Sequence, residues 1–85
     1  MTAQSLGQSA IPALVRIGAI AMPAYVLGVT ISGIRLGMDF CLATGADVTV
    51  SFQRTVAVGK IRYCRLNSDD SFQAALEIED VLNTV

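Results

Sequence analysis

Between Thr30 and Arg35 the chain reads Thr-Ile-Ser-Gly-Ile-Arg, and these are the residues best suited to a chemical task. Two hydroxyl side chains and a glycine favour a tight turn, whose exposed backbone N–H groups can cradle an anion. Arg35, two residues past Gly33, adds the planar donors used to hold phosphate or carboxylate. Arg16 is a second guanidinium in an otherwise apolar stretch. The competing reading of Arg35 is an outward-facing strand residue. Bond-making chemistry is disfavoured. The chain has no histidine, which removes the commonest general base and zinc ligand. Neither Ser32 nor Cys64 has a neighbouring base to activate it. Asp69, Asp70, Glu77, Glu79 and Asp80 lack the spacing of a calcium loop and read as solvated carboxylates. The expectation is a protein that is not an enzyme, with no metal and no cofactor.

The elements that position these residues follow from period-two patterning. Val26 to Leu36 reads as a strand, a turn and a second strand. Before it, Ile11 to Ala21 alternates, with Val15, Ile17, Ala19 and Ala21 on one face and Leu14, Arg16, Gly18 and Ile20 on the other. Pro12 and Pro23 bracket that run, so its link to the strand at Tyr25 to Ile31 is expected around Met22-Pro23-Ala24. Ile34 to Met38 is the third strand. Asp47 to Phe52 is the cleanest, with Val48, Val50 and Phe52 opposite Thr49 and Ser51. Val56 to Leu66 is the longest, and its apolar phase slips across Gly59-Lys60, which predicts a bulge there. Lys60, Arg62 and Arg65 should face outward as a solvated basic edge. Asn67 to Ser71 is a turn by composition, and Phe72 to Ile78 alternates again. Glu79 to Val85 is expected to form one helical turn or to fray. Tyr25 and Tyr63 read as core or rim aromatics. Six short strands with turn signals predict an all-β fold, a small six-stranded antiparallel β-barrel.

Composition sets the limits. At 85 residues the chain holds one domain, with residues 1–10 as a flexible arm and 11–85 as the barrel. Apolar residues make up 53% and charged ones 15%, which leaves apolar surface for a protein partner or for self-association. A net charge of −1 argues against binding a nucleic-acid polymer, though not against one small anion pocket. Cys41 and Cys64 are too few for a disulfide framework. No basic residue opens Met1 to Val15 as a signal peptide would, so reduced, partly buried thiols in a cytoplasmic protein are expected. Ile17 to Ile34 carries no charge and raises a competing membrane-associated reading. Its interruption by Pro23, Gly18, Gly28 and Gly33 favours strands instead.

From Gly28 onward the order of features resembles the PilZ domain of bacterial cyclic-di-GMP signalling. That family has a strand, an Asp/Asn-x-Ser-x-x-Gly turn, a strand with an apolar-Arg-apolar pattern, a glycine turn and a long Gly-x-Val-x-Tyr/Trp strand. Here Thr30-Ile31-Ser32-Gly33-Ile34-Arg35-Leu36 matches the first turn and Thr44 to Val50 the second. Gly59 to Arg65 matches the long strand, and Phe72 to Glu79 the last one. The resemblance implies the six-stranded barrel, with the family's C-terminal helix short or absent. It also makes Arg16, Thr30, Ser32, Gly33 and Arg35 the candidate nucleotide-binding residues. The family's ligand-binding members grip phosphate and guanine through Arg-x-x-x-Arg before the first strand. Arg16 has no basic residue four positions to either side, Thr30 replaces the acidic or amide residue, and Ser32 runs directly into Gly33. The expected protein is therefore a degenerate PilZ-like adaptor that works through protein contacts. Cyclic-di-GMP binding in an altered mode is the alternative.

Overall fold

The computed structural model describes residues 10–83. Its strands are β1 (Ile11–Ile17), β2 (Ile20–Val29), β3 (Gly33–Met38), β4 (Asp47–Phe52), β5 (Thr55–Leu66) and β6 (Phe72–Asn83). They close into an antiparallel barrel in the order β1-β2-β3-β6-β5-β4. This is the all-β, six-stranded barrel that the patterning predicts. No helix occurs among the described residues, so none is long and apolar enough to cross a membrane. The arm expected over residues 1–10 lies outside the described residues except for Ala10.

Alternation builds the core. Ile34, Leu36 and Met38 of β3 point inward and are buried, while Arg35 between them is exposed. Val48 and Val50 of β4, Ala74 and Leu76 of β6, and Val15 of β1 meet them inside. Each fully buried Leu, Ile or Val contributes roughly 1.5–3 kcal/mol relative to exposure. Burial of this set closes the sheet on itself.

The link between the first two strands differs from expectation. β1 ends at Ile17, not Ala21, and the turn is Gly18-Ala19, where Gly18 adopts a left-handed φ of 60°. Pro23 lies within β2, opposite Leu14. Ile17 and Ile20 close the two-residue hairpin, so hydrogen bonding to β1 alternates and returns at Met22, leaving the Pro23 nitrogen facing away. On that side β3 pairs only from Tyr25 onward, so the missing donor breaks no ladder.

The long strands carry a second correction. Register passes from Val58↔Asp80 to Gly59↔Ile78, leaving Glu79 extra on β6. It passes again from Ile61↔Leu76 to Tyr63↔Ala75, leaving Arg62 extra on β5. The slip of β5 is therefore at Arg62, and the bulge beside Gly59 belongs to β6. Half-buried Val56 and Val58 mimic an inward phase, but Ala57, Gly59 and Ile61 are the buried positions. β6 continues to Asn83 in place of the expected helical turn or frayed end, because Asp80 to Asn83 pair with Val58 to Thr55. Of the core or rim positions expected for Tyr25 and Tyr63, neither is in the core: both are exposed. Phase explains both: Tyr25 lies in the same row as Gly37, and Tyr63 follows the Arg62 bulge.

A Cβ on Gly59 would collide with the Glu77 carbonyl oxygen, whereas one on Gly18 would meet open space. Gly59→Ala should destabilise the barrel by roughly 2–3 kcal/mol through forced backbone movement. Gly18→Ala should cost about 1 kcal/mol, from its backbone conformation alone. Urea titration of the two variants checks the ranking, and equal losses would contradict it.

Candidate functional site

The Thr30–Gly33 turn is held by its own side chain. Thr30 N–H donates to the Gly33 carbonyl at 2.8 Å, and Gly33 N–H donates back to Thr30 Oγ1 at 3.1 Å. The Thr30 hydroxyl also donates to the Gly33 carbonyl at 3.3 Å. Threonine thus does the turn-capping work for which an Asx residue is usually chosen. One turn N–H is consumed in doing so. The Ser32 carbonyl accepts the Ile78 N–H at 3.0 Å, which ties the turn to β6.

Beside this turn lies a cleft of about 190 Å³, lined by Gly28, Thr30, Ser32, Gly33, Arg35, Arg62 and Glu77 among others. It is concave because its floor is Gly28, Gly33 and Ala75, while long side chains from β3, β5 and β6 form the rim. Arg35 extends over Gly28, where a Cβ would come within 2.9 Å of its Nη2. Arg62 enters through its bulge and stands 3.8 Å from Glu77 Oε2. Both partners are more than half exposed, so this pair contributes at most about 1 kcal/mol. Arg35 has no carboxylate partner among the described residues.

Four of the five sequence candidates therefore meet: Thr30, Ser32, Gly33 and Arg35. Arg16 does not. It pairs with Ala21 near the Gly18 turn, whereas Arg35 pairs with Gly28 toward the other end of β2. At ~3.3 Å per residue the separation along that strand is roughly 20 Å. Arg62 is the residue that sequence reading missed as a member of this cleft. Its outward direction was legible from alternation, but its approach to Glu77 and the Thr30–Gly33 turn depended on how β5 pairs with β6 and β6 with β3.

The rest of the basic face is solvated, as expected. Lys60 contacts Asp47 at 2.5 Å, and this carboxylate holds the Lys60 ammonium above its usual pKa. The Arg65 guanidinium stacks over the Tyr63 ring at 5.3 Å.

A second groove of about 490 Å³ runs between Tyr25, Leu27 and Gly37 on one side and Asn67, Asp69, Ser71 and Gln73 on the other. Asp69 Oδ1 accepts the Ser71 hydroxyl at 2.6 Å and the Ser71 N–H at 3.1 Å. These bonds hold the Asp69 carboxyl below its ordinary pKa. The sequence signalled this capping turn but not the groove.

The thiols differ from expectation in one respect: Cys41 is exposed and only Cys64 is half-buried. Leu42 N–H donates to Cys64 Sγ at 3.3 Å, which draws the segment after β3 onto β5. The neighbouring Cys64 raises the Cys41 thiol pKa, chiefly through a side-chain hydrogen bond.

Two titrations follow from these contacts. Ser71→Ala should raise the Asp69 pKa toward the ordinary carboxylate value, read by carbonyl NMR. The stability that Asp69 contributes is present above its unfolded-state pKa and lost as pH falls through the lower folded value, so this variant should flatten stability in the acid range. Cys64→Ala should lower the Cys41 pKa and speed its alkylation by iodoacetamide near neutral pH; an unchanged rate would count against the thiol contact. The chain matches no protein-family model and no curated protein.

Proposed function

We propose that this chain is a non-enzymatic adaptor of PilZ-like design in bacterial second-messenger signalling, one that has lost ordinary cyclic-di-GMP binding and acts in the cytoplasm through protein contacts. The observation that supports this most is the separation of the guanidiniums. A dinucleotide with two phosphates is held strongly by paired, bidentate arginines. Here Arg16 and Arg35 lie toward opposite ends of β2, and Arg62 is partly neutralised by Glu77. Meanwhile Leu14, Ile20, Tyr25, Ile31 and Leu82 are all exposed on the outer surface, as a contact module requires.

The cleft itself supports a second reading. Arg35, Arg62 and the Thr30–Gly33 turn face one space, so an altered mode of cyclic-di-GMP binding would use Arg62 in place of the missing motif. Calorimetric titration of cyclic-di-GMP into the full chain separates the two. The adaptor reading expects no saturable heat. Saturable micromolar binding, lost in both Arg35→Ala and Arg62→Ala, would establish the receptor reading in its place.

A further inference from the structure

Closing a staggered barrel leaves strand ends that overhang their neighbours, and the overhang of β6 is distinctive. β3 pairs with β6 as far as Gly33↔Glu77, and the Ser32 carbonyl takes the next donor, Ile78 N–H. After the Glu79 bulge, Asp80 to Asn83 pair with β5 alone among the described residues. Parity fixes which way its backbone groups point. Phe52 and Thr55 close a two-residue hairpin, so Thr55 and Ala57 direct their N–H and C=O groups to β4, and Val56 and Val58 theirs to β6. Their partners Leu82 and Asp80 bond to β5, while Val81 and Asn83 face away.

A second observation agrees. The Val81 N–H donates at 2.9 Å to Oδ1 of its own neighbour Asp80. Val81 and Leu82 are about half exposed, and Ile31, next to Ser32, is fully exposed. Two other overhangs are obstructed. The free side of β2 from Ile20 to Ala24 contains Pro23. That of β5 past Lys60 is met by Ala46, whose carbonyl accepts the Ile61 N–H, and by Leu42 on Cys64.

We infer that Glu79–Asn83 is a strand-addition site for an extended partner segment in which apolar and basic residues alternate. This rests on the reading of the chain as a protein-contact module and names its surface. Main-chain bonds to Val81 and Asn83 supply the pairing. The Asp80 carboxylate holds the Val81 donor until a partner carbonyl replaces it, and is then free to meet a lysine or arginine. Glu79 and Asp80 choose the charge. A second copy of the chain would bring two more carboxylates to the same seam, and like charges across a strand pair are destabilising.

The test is amide exchange by NMR on the full chain, with a capped peptide of alternating lysine and valine as the probe. At saturation, exchange of the Val81 amide should slow about tenfold or more. Shift changes should centre on Ile31, Ser32 and residues 78–83. Val81→Pro, which removes a donor that β5 does not use, should abolish binding. Should that variant fail to fold, Asp80→Ala serves instead: it should speed Val81 exchange in the free protein and erase the preference for the lysine peptide over one with threonine at those positions. Equal protection by a glutamate–valine peptide would overturn the inference, as would lysine-peptide shifts elsewhere on the barrel. Concentration-dependent protection of Val81 without peptide would also overturn it, in favour of a second copy. These outcomes leave the adaptor reading standing; that reading falls only to saturable cyclic-di-GMP binding.

Discussion

The barrel depends on how closely β6 can approach β5 at Gly59. The Glu77 carbonyl occupies the space a side chain at that position would need, and the Glu79 bulge follows immediately. Strands that closed a small barrel without such bends would splay, because each neighbour adds twist that regular pairing alone does not turn into closure. A glycine facing a bulge lets the two longest strands cross over the core. Ala57 and Ile61, on either side of Gly59, are then driven inward to meet Val50 and Leu76.

The same irregularity makes the surface. Inserting Arg62 as the extra residue on β5 leaves its side chain exposed beside Glu77 and turns the following Tyr63 outward as well. A regular strand would have put Tyr63, not Arg62, in the phase of the core, since Ala57, Gly59 and Ile61 are the buried positions. The bulge thus shifts the register of β5 against β6 beside the cleft. The cleft is not, in itself, a signature of a ligand: small residues, Gly28, Gly33 and Ala75, line it, and its charge comes from two strand arginines that alternation turns outward.

Much of this was legible in the sequence. Asp47 to Phe52 and Ile34 to Met38 alternate without interruption, and both strands form as expected. The Thr30–Gly33 turn also lies where its residue types put it. What failed was phase and punctuation. Proline suggests a terminator at Pro23, yet its missing donor lies on a side of β2 with no partner, a fact that depends on where β3 ends. Val56 and Val58 resemble core residues by type but face outward, since the inward positions are the smaller Ala57 and Gly59. Periodicity ranks residues by hydrophobicity and cannot see that a crossing demands small ones. Arg62 faces outward as alternation predicts, and only the register of β3, β6 and β5 brings it to the cleft.

Pro23 and Asp80 answer the same difficulty in opposite ways. Each stands on a strand stretch whose far side pairs with no other described strand, and unpaired edges invite pairing with other chains. Pro23 removes a donor outright, so that stretch of β2 can never complete a ladder. Asp80 instead satisfies the Val81 donor with a side chain, a bond made within two adjacent residues and broken by one rotation. A proline closes an edge permanently, whereas a carboxylate closes it until something better placed arrives. The contrast separates an edge that must stay unpaired from one that can be used, and it places the adaptable surface of this barrel on β6.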